Sequence, residues 1–190
     1  TTNTTTNPDG STTKTETKSD GTTIKTTTET DGTTTVTETK PDGTVTETVN
    51  NADGSSVKSE TQSDGSSTTE RKEADGSTSV TKIDAKGNTE IEAKLSEKAI
   101  ENAKEGGSAA VIPVDEIRAG ASSNEAPTMK IELPSSVDET KVEIPVRNVT
   151  NGTVAVIVHP DGTEEIIKNS RPTEGGVQID VNGDVTIKII

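Results

Sequence analysis

Asp-Gly stands at residues 9–10, 20–21, 31–32, 42–43, 53–54, 64–65 and 75–76, and Lys86-Gly87 takes the next place in the series. One turn dipeptide therefore returns every eleven residues without a slip. So short a period leaves room in each unit for one strand and one reversal, and a repeat of this kind has to be read before anything else in the chain. The nine residues between turns are rich in Thr, Ser and Val, as in KSDGTTIKTTTETDGTTTVTETKPDG at 18–43. These residue types favour extended backbone, and the threonine hydroxyl keeps a sheet surface wet where no core exists.

Asp-Gly between β-formers predicts a two-residue type I′ hairpin loop. With its flanking residues paired, the centres of successive units fall in one cross-strand row: Thr4, Thr15, Thr26, Thr37, Thr48, Ser59, Glu70 and Thr81. A neighbouring row reads Thr17, Ile24, Thr39, Thr46, Thr61, Thr68 and Ile83. Because side chains alternate between faces, both rows would share one side. Thr15, Thr17, Thr26, Thr37, Thr39, Thr46 and Thr48 then form the candidate binding surface, interrupted by Asn50, Glu70 and Lys72. The opposite side would set Glu16 against Lys25, Lys25 against Glu38 and Val36 against Val49, but also Glu38 against Glu47 and Lys58 against Arg71.

Apolar residues make up 25% of the 190 and aromatic residues 0%, so a large core is excluded. The apolar residues before position 89 are scattered, whereas later ones gather in runs such as AAVIPV, TVAVIVHP and VTIKII. This divides the chain at 1–88 and 89–190. For the first part three arrangements stay open: a single-layer antiparallel meander, a solenoid or a sheet packed on a second copy, and an extended Thr/Ser stalk. The net charge of −14, without a basic patch or stacking aromatics, argues against nucleic acid and anionic membranes as partners. No signal-peptide pattern is present, and no apolar run approaches the roughly 20 residues of a membrane span. An exported protein would thus be represented here by a mature or excised fragment.

In the second part LSEKAIENAKEGG predicts one short helix near 96–105, with Ser96 as N-cap and Gly106-Gly107 as the stop. Strand-like runs follow at 109–114, 128–133, 141–146, 153–159, 163–168, 176–181 and 184–190, with hairpins expected at Asp161-Gly162 and Asn182-Gly183. The expected fold class is mainly β: an antiparallel meander of eleven-residue period, single-layer or solenoid-like, followed by a small β-sandwich or barrel-like module with one short helix.

The run KVEIPVRNVTNGTVAVIVHPDGTEEIIKNSRPTEGGVQIDVNGDVTIKII, with LSEKAIENAKEGG and APTMKIELPSS before it, resembles the segment preceding S-layer homology modules in surface proteins of clostridia and related Gram-positive bacteria. The resemblance covers about 89–190 and leaves the threonine-rich repeats aside. It implies an extracellular location at a bacterial cell surface and a spacer without catalytic residues. Cell-wall association would reside in modules absent from this chain, which stops at Ile190.

Chemistry-bearing residues are sparse. There is no cysteine, and His159 is the only histidine, so no thiolate site, histidine pair or His-based triad can be assembled. Carboxylate pairs such as Glu164-Glu165 lack apolar walls to raise a pKa. Asp180, Asn182 and Asp184 imitate the opening of a calcium loop, but Val185 occupies the place of its glycine, and a hairpin explains the same residues. No cofactor is expected. Two functions remain: a non-catalytic extracellular spacer, and a module whose threonine face binds glycan, ice or another copy of itself. That face resembles, in its surface motif alone, the ice-binding face of β-helical antifreeze proteins. Self-association through sheet edges or the face is a further expectation.

Overall fold

The computed structural model describes residues Thr1–Ile190. Nine strands follow the repeats: β1 (Thr2–Thr6), β2 (Thr12–Thr17), β3 (Thr23–Thr28), β4 (Thr34–Thr39), β5 (Val45–Asn50), β6 (Ser56–Thr61), β7 (Ser67–Lys72), β8 (Thr78–Ile83) and β9 (Thr89–Lys94). Helix α1 (Glu97–Glu105) comes next, then β10 (Ala110–Val111), β11 (Ile117–Arg118), β12 (Thr128–Glu132), β13 (Thr140–Arg147) and β14 (Ala155–Val158). The chain closes with β15 (Glu164–Ile166), β16 (Arg171–Pro172), β17 (Gly176–Val181) and β18 (Val185–Ile189). The fold is mainly β: a 13-stranded sheet, ordered β1 through β9 and then β12-β18-β14-β15, and a smaller sheet ordered β10-β13-β17-β16. By packing, the chain divides into two units, Thr1–Ala74 with Lys82–Gly87, and Asp75–Thr81 with Asn88–Ile190.

The first unit is a single-layer antiparallel meander, neither a solenoid nor an extended stalk. The buried apolar residues of the chain begin only at Ile91. What is buried in this unit is polar: Ser11, Thr22 and Thr44, each directly after an Asp-Gly pair. Stability therefore comes from ladder hydrogen bonds, cross-strand pairs and turns.

The turns differ from the type I′ expectation. Gly alone has positive φ, between 89° and 92° in all eight turns, so the residue before it, Asp in seven of them and Lys86 in the last, stays in ordinary backbone space. A type I′ loop needs positive φ at both central residues. Instead Gly43 N–H donates to the Lys40 carbonyl at 3.0 Å, and Lys40 N–H to the Thr44 carbonyl at 2.9 Å. This is a three-residue loop, a type I turn followed by a left-handed glycine in a bulge. Asp42 Oδ1 accepts the Thr44 N–H at 2.8 Å and so closes the loop from inside. Pro41 sits at the second turn position, where its fixed φ is favourable. In a two-residue loop the same proline would have to supply a ladder donor that it lacks.

One residue more in each loop shifts the register. Thr15 pairs with Lys25, Glu16 with Ile24, Lys25 with Thr37 and Glu38 with Thr46, in place of the pairs expected above. The electrostatic reason is visible in the ladder. Across β2 to β7 the only charged residues directly opposite one another are Lys58 and Glu70, which attract. The Glu38/Glu47 and Lys58/Arg71 clashes of the expected register are gone.

Turns at the same end of the sheet touch one another. A Cβ on Gly43 would lie 3.2 Å from Ser63 Cβ, whereas one on Gly54 would meet nothing within 4 Å. Gly43→Ala and Gly54→Ala are each expected to cost about 1–2 kcal/mol from left-handed strain. Gly43→Ala should be the worse, which urea denaturation followed by far-UV circular dichroism would check.

The second unit has a conventional core. Ile91 and Ala93 on β9, Met129 and Ile131 on β12, and Ile187 and Ile189 on β18 line one layer. Val142, Ile144 and Val146 on β13 and Val177, Ile179 and Val181 on β17 line the other. Alternation of buried and exposed residues along β13 and β17 is what a sandwich strand requires. Ser96 caps α1 by accepting the Ala99 N–H, and Ile100 is its buried residue. Asp75–Thr81 is tied into this unit by two serines. Ser96 N–H donates to Ser77 Oγ at 3.1 Å, and the buried Ser79 donates to the Pro113 carbonyl at 2.6 Å.

The Asp161-Gly162 hairpin forms between β14 and β15, with the same three-residue loop as the repeats. Asn182-Gly183 does not make a hairpin. β17 pairs with β13 and β16, while β18 pairs with β12 and β14, so the chain crosses there from one sheet to the other. Both strands carry alternating core residues, and only an arch lets β17 and β18 present them from opposite layers.

Candidate functional site

The register decides what the threonines can present. In the observed ladder every cross-strand partner has the same parity, so odd residues share one face and even residues the other. The expected threonine face is therefore split: Thr15, Thr17, Thr37 and Thr39 lie on the odd face, and Thr26, Thr46 and Thr48 on the even face. An odd period combined with a three-residue loop turns equivalent positions of successive repeats to opposite sides. The longest threonine rows run elsewhere. Thr5, Thr13, Thr27 and Thr35 follow one another across four strands on the odd face, and Thr6, Thr12, Thr28 and Thr34 do so on the even face. On the odd face Thr17, Thr23 and Thr39 make a third row, with Lys25 in the field between. Towards β5 and β6 this face changes character, because Val49 pairs with Val57 and Val45 follows on the same face beyond the Glu47–Ser59 pair.

At the ends of the sheet the carboxylates form the other regular array. Each is held by the residue two places on, as with Asp9 by Ser11 (N–H 2.9 Å, O–H 2.7 Å) and Asp64 by Ser66 (2.8 and 2.6 Å). These bonds favour the ionised form. At Asp9, Asp53, Asp64 and Asp161 the Ser or Thr hydroxyl lowers the carboxyl's pKa most, followed by the backbone N–H. At Asp20, Asp31 and Asp42 the order is reversed. With one oxygen committed inside its own loop, each Asp acts first as a turn clamp.

No three acidic or histidine side chains converge to hold a metal ion. Of the calcium candidates, Asp184 Oδ1 accepts the Leu133 N–H at 2.9 Å and Asp180 faces Arg171 at 3.6 Å. Asn182 lies at the arch between them. His159 opens the β14–β15 turn, 3.6 Å from Glu165.

A constellation invisible in the sequence joins Ser123, Glu164 and Lys188. Lys188 Nζ donates to Glu164 Oε1 at 2.8 Å and to Ser123 Oγ at 3.1 Å, and Ser123 donates to Glu164 Oε2. Serine beside lysine has the makings of a nucleophile and base. Here the bond from Lys188, and next that from Ser123, hold Glu164 ionised, and that carboxylate engages both partners. The group pins the loop at Ser123 to β15. The concave places on the first unit, such as that lined by Lys58, Glu60, Thr68 and Glu70, are open grooves on the sheet surface. No helix is long and apolar enough to cross a membrane. No protein-family model, curated protein or solved structure matches this chain.

Proposed function

We propose that this chain is a non-catalytic extracellular spacer of a bacterial surface protein of the S-layer type. The observation that supports it best is the coreless first unit, in which every repeat adds one strand with the same turn and no buried apolar residue. Such a sheet can gain or lose strands without repacking anything, which suits a part selected for span. The resemblance of 89–190 to segments preceding S-layer homology modules supports the cell-surface setting. A second reading, a sheet that binds a repetitive ligand, draws on the threonine rows Thr5–Thr13–Thr27–Thr35 and Thr17–Thr23–Thr39.

Shortening the sheet by two strands tests the spacer reading. The chain has no cysteine, so Thr13→Cys with Val57→Cys gives two unique spin-label sites on one cross-strand row. Deleting residues 23–44 removes two whole repeats, and the label separation should shorten by roughly 10 Å at two strand spacings. The β spectrum should persist. Loss of that spectrum, or an unchanged separation, overturns the spacer. Retention on cell-wall glycan or shaping of ice crystals by the full chain would favour the ligand-binding sheet.

A further inference from the structure

Across β2 to β6 the two faces of the ladder carry charge unevenly. On the odd face only Lys25 and Glu47 are charged, and both are exposed, whereas the even face holds Lys14, Glu16, Glu38, Lys58 and Glu60. Every other residue of the odd face is Thr, Ser or Val. Lys25 and Glu47 also stand in one cross-strand row, Thr15–Lys25–Thr37–Glu47–Ser59, one strand to either side of Thr37. Two strand spacings, roughly 10 Å, separate their backbones.

This placement makes the odd face complementary to itself. A two-fold axis running along β4, between two stacked copies, carries β3 of one onto β5 of the other. Lys25 then meets Glu47 of the partner subunit, and Glu47 meets the partner subunit's Lys25. The valines find methyl groups in the same operation: Val45 lies over Thr23 of the partner subunit, Val49 over the partner's Thr27 and Val57 over the partner's Thr13. An axis across the strands would instead set Lys25 on the partner's Lys25 and Glu47 on the partner's Glu47, so charge selects the first. The even face fails the same operation. It would bring Glu38 onto the partner's Glu38, Lys14 onto the partner's Lys58 and Glu16 onto the partner's Glu60, and like charges set face to face repel.

We infer that the odd face of β2 to β6 is a self-association surface whose occupant is the same face of a second copy, stacked about the β4 axis. Sheets packed face to face lie about 10 Å apart with their strands nearly aligned, and a two-fold axis along a strand gives that alignment. Five strands of six residues present roughly 24 by 20 Å, so the two copies cover about 1,000 Å² in all, the lower limit for a specific interface. An isologous contact closes on itself and gives a dimer. The even face, with its denser charge, stays in water. None of this rests on the spacer reading, and it assigns to a second copy the face that the other reading gives to a repetitive ligand.

Charge reversal tests the pairing. Sedimentation equilibrium of the full chain over a range of concentrations, in about 0.15 M salt to screen the net charge of −14, should show a monomer–dimer equilibrium. Lys25→Glu and Glu47→Lys each set like charges against one another across the axis, and each should weaken association by roughly tenfold or more. The two reversals combined recreate the pair with its signs exchanged and should restore the dimer. Both positions are exposed, so the far-UV circular dichroism spectrum should stay the same in all three variants. Val36→Glu, on the even face of β4, should leave association unchanged. A wild-type chain that remains monomeric at all concentrations overturns the inference. So does a dimer that the single reversals leave intact, or one that the combined reversal fails to restore.

Discussion

Replacing Ile131 by alanine is expected to lower stability by about 2–5 kcal/mol, while Val49→Ala costs about 0.2–1 kcal/mol. Ile131 is fully buried in β12, between β9 and β18, and belongs to the core cluster to which both layers of the second unit contribute. Truncating it leaves a cavity that β-strands pinned on both sides cannot collapse. Val49 has one apolar partner directly across, Val57, on a face that water reaches from above. Its methyl groups gain a pair contact and lose it without leaving a void. As domains are stable by only about 5–15 kcal/mol, the first substitution removes a large fraction of the total. Urea denaturation must be followed by far-UV circular dichroism, since the chain has no Trp or Tyr to report by fluorescence. Equal losses at the two sites would mean that the repeat valines pack in a core of their own.

The contrast also explains what could be read from the residues. A strand and a reversal every eleven residues follow from local chemistry, and so do the Ser96 cap and the Asp161-Gly162 hairpin. The loop length did not follow from Asp-Gly alone, because that pair serves both type I′ loops and bulged type I loops. Pro8, Pro41 and Pro160, each just before an Asp-Gly, carried the missing signal. A single residue of loop then moved every partner and split the threonine face. The arch at Asn182-Gly183, the parallel pairing of β9 with β12 and the Ser123–Lys188 contact were out of reach for another reason. Each depends on which core layer a strand joins, and that is settled by residues far away in the chain.

Acidification should destabilise the first unit, in a window set by its turn carboxylates. Asp9, Asp20, Asp31, Asp42, Asp53 and Asp64 are all held below the ordinary value of 3.8 by their Ser or Thr partners. A carboxyl with a depressed folded pKa contributes stability that is fully present above the unfolded value. That contribution is lost as pH falls through the folded value, because the unfolded chain takes up the proton first. Against this stands self-repulsion: protonating carboxylates reduces a net charge of −14, which by itself would stabilise the sheet on mild acidification. The two effects have opposite signs and different ranges. Repulsion among exposed charges is largely screened in salt of about 0.5 M, whereas a bond inside one loop is not. Thermal melts in such salt should therefore show a falling midpoint as pH drops below 3.8. Changing all six to asparagine keeps a neutral oxygen acceptor in each loop and should flatten that dependence. A midpoint that holds steady or rises through the same window would show that the clamps do not govern the sheet, and that ladder bonds and threonine pairs alone keep it folded.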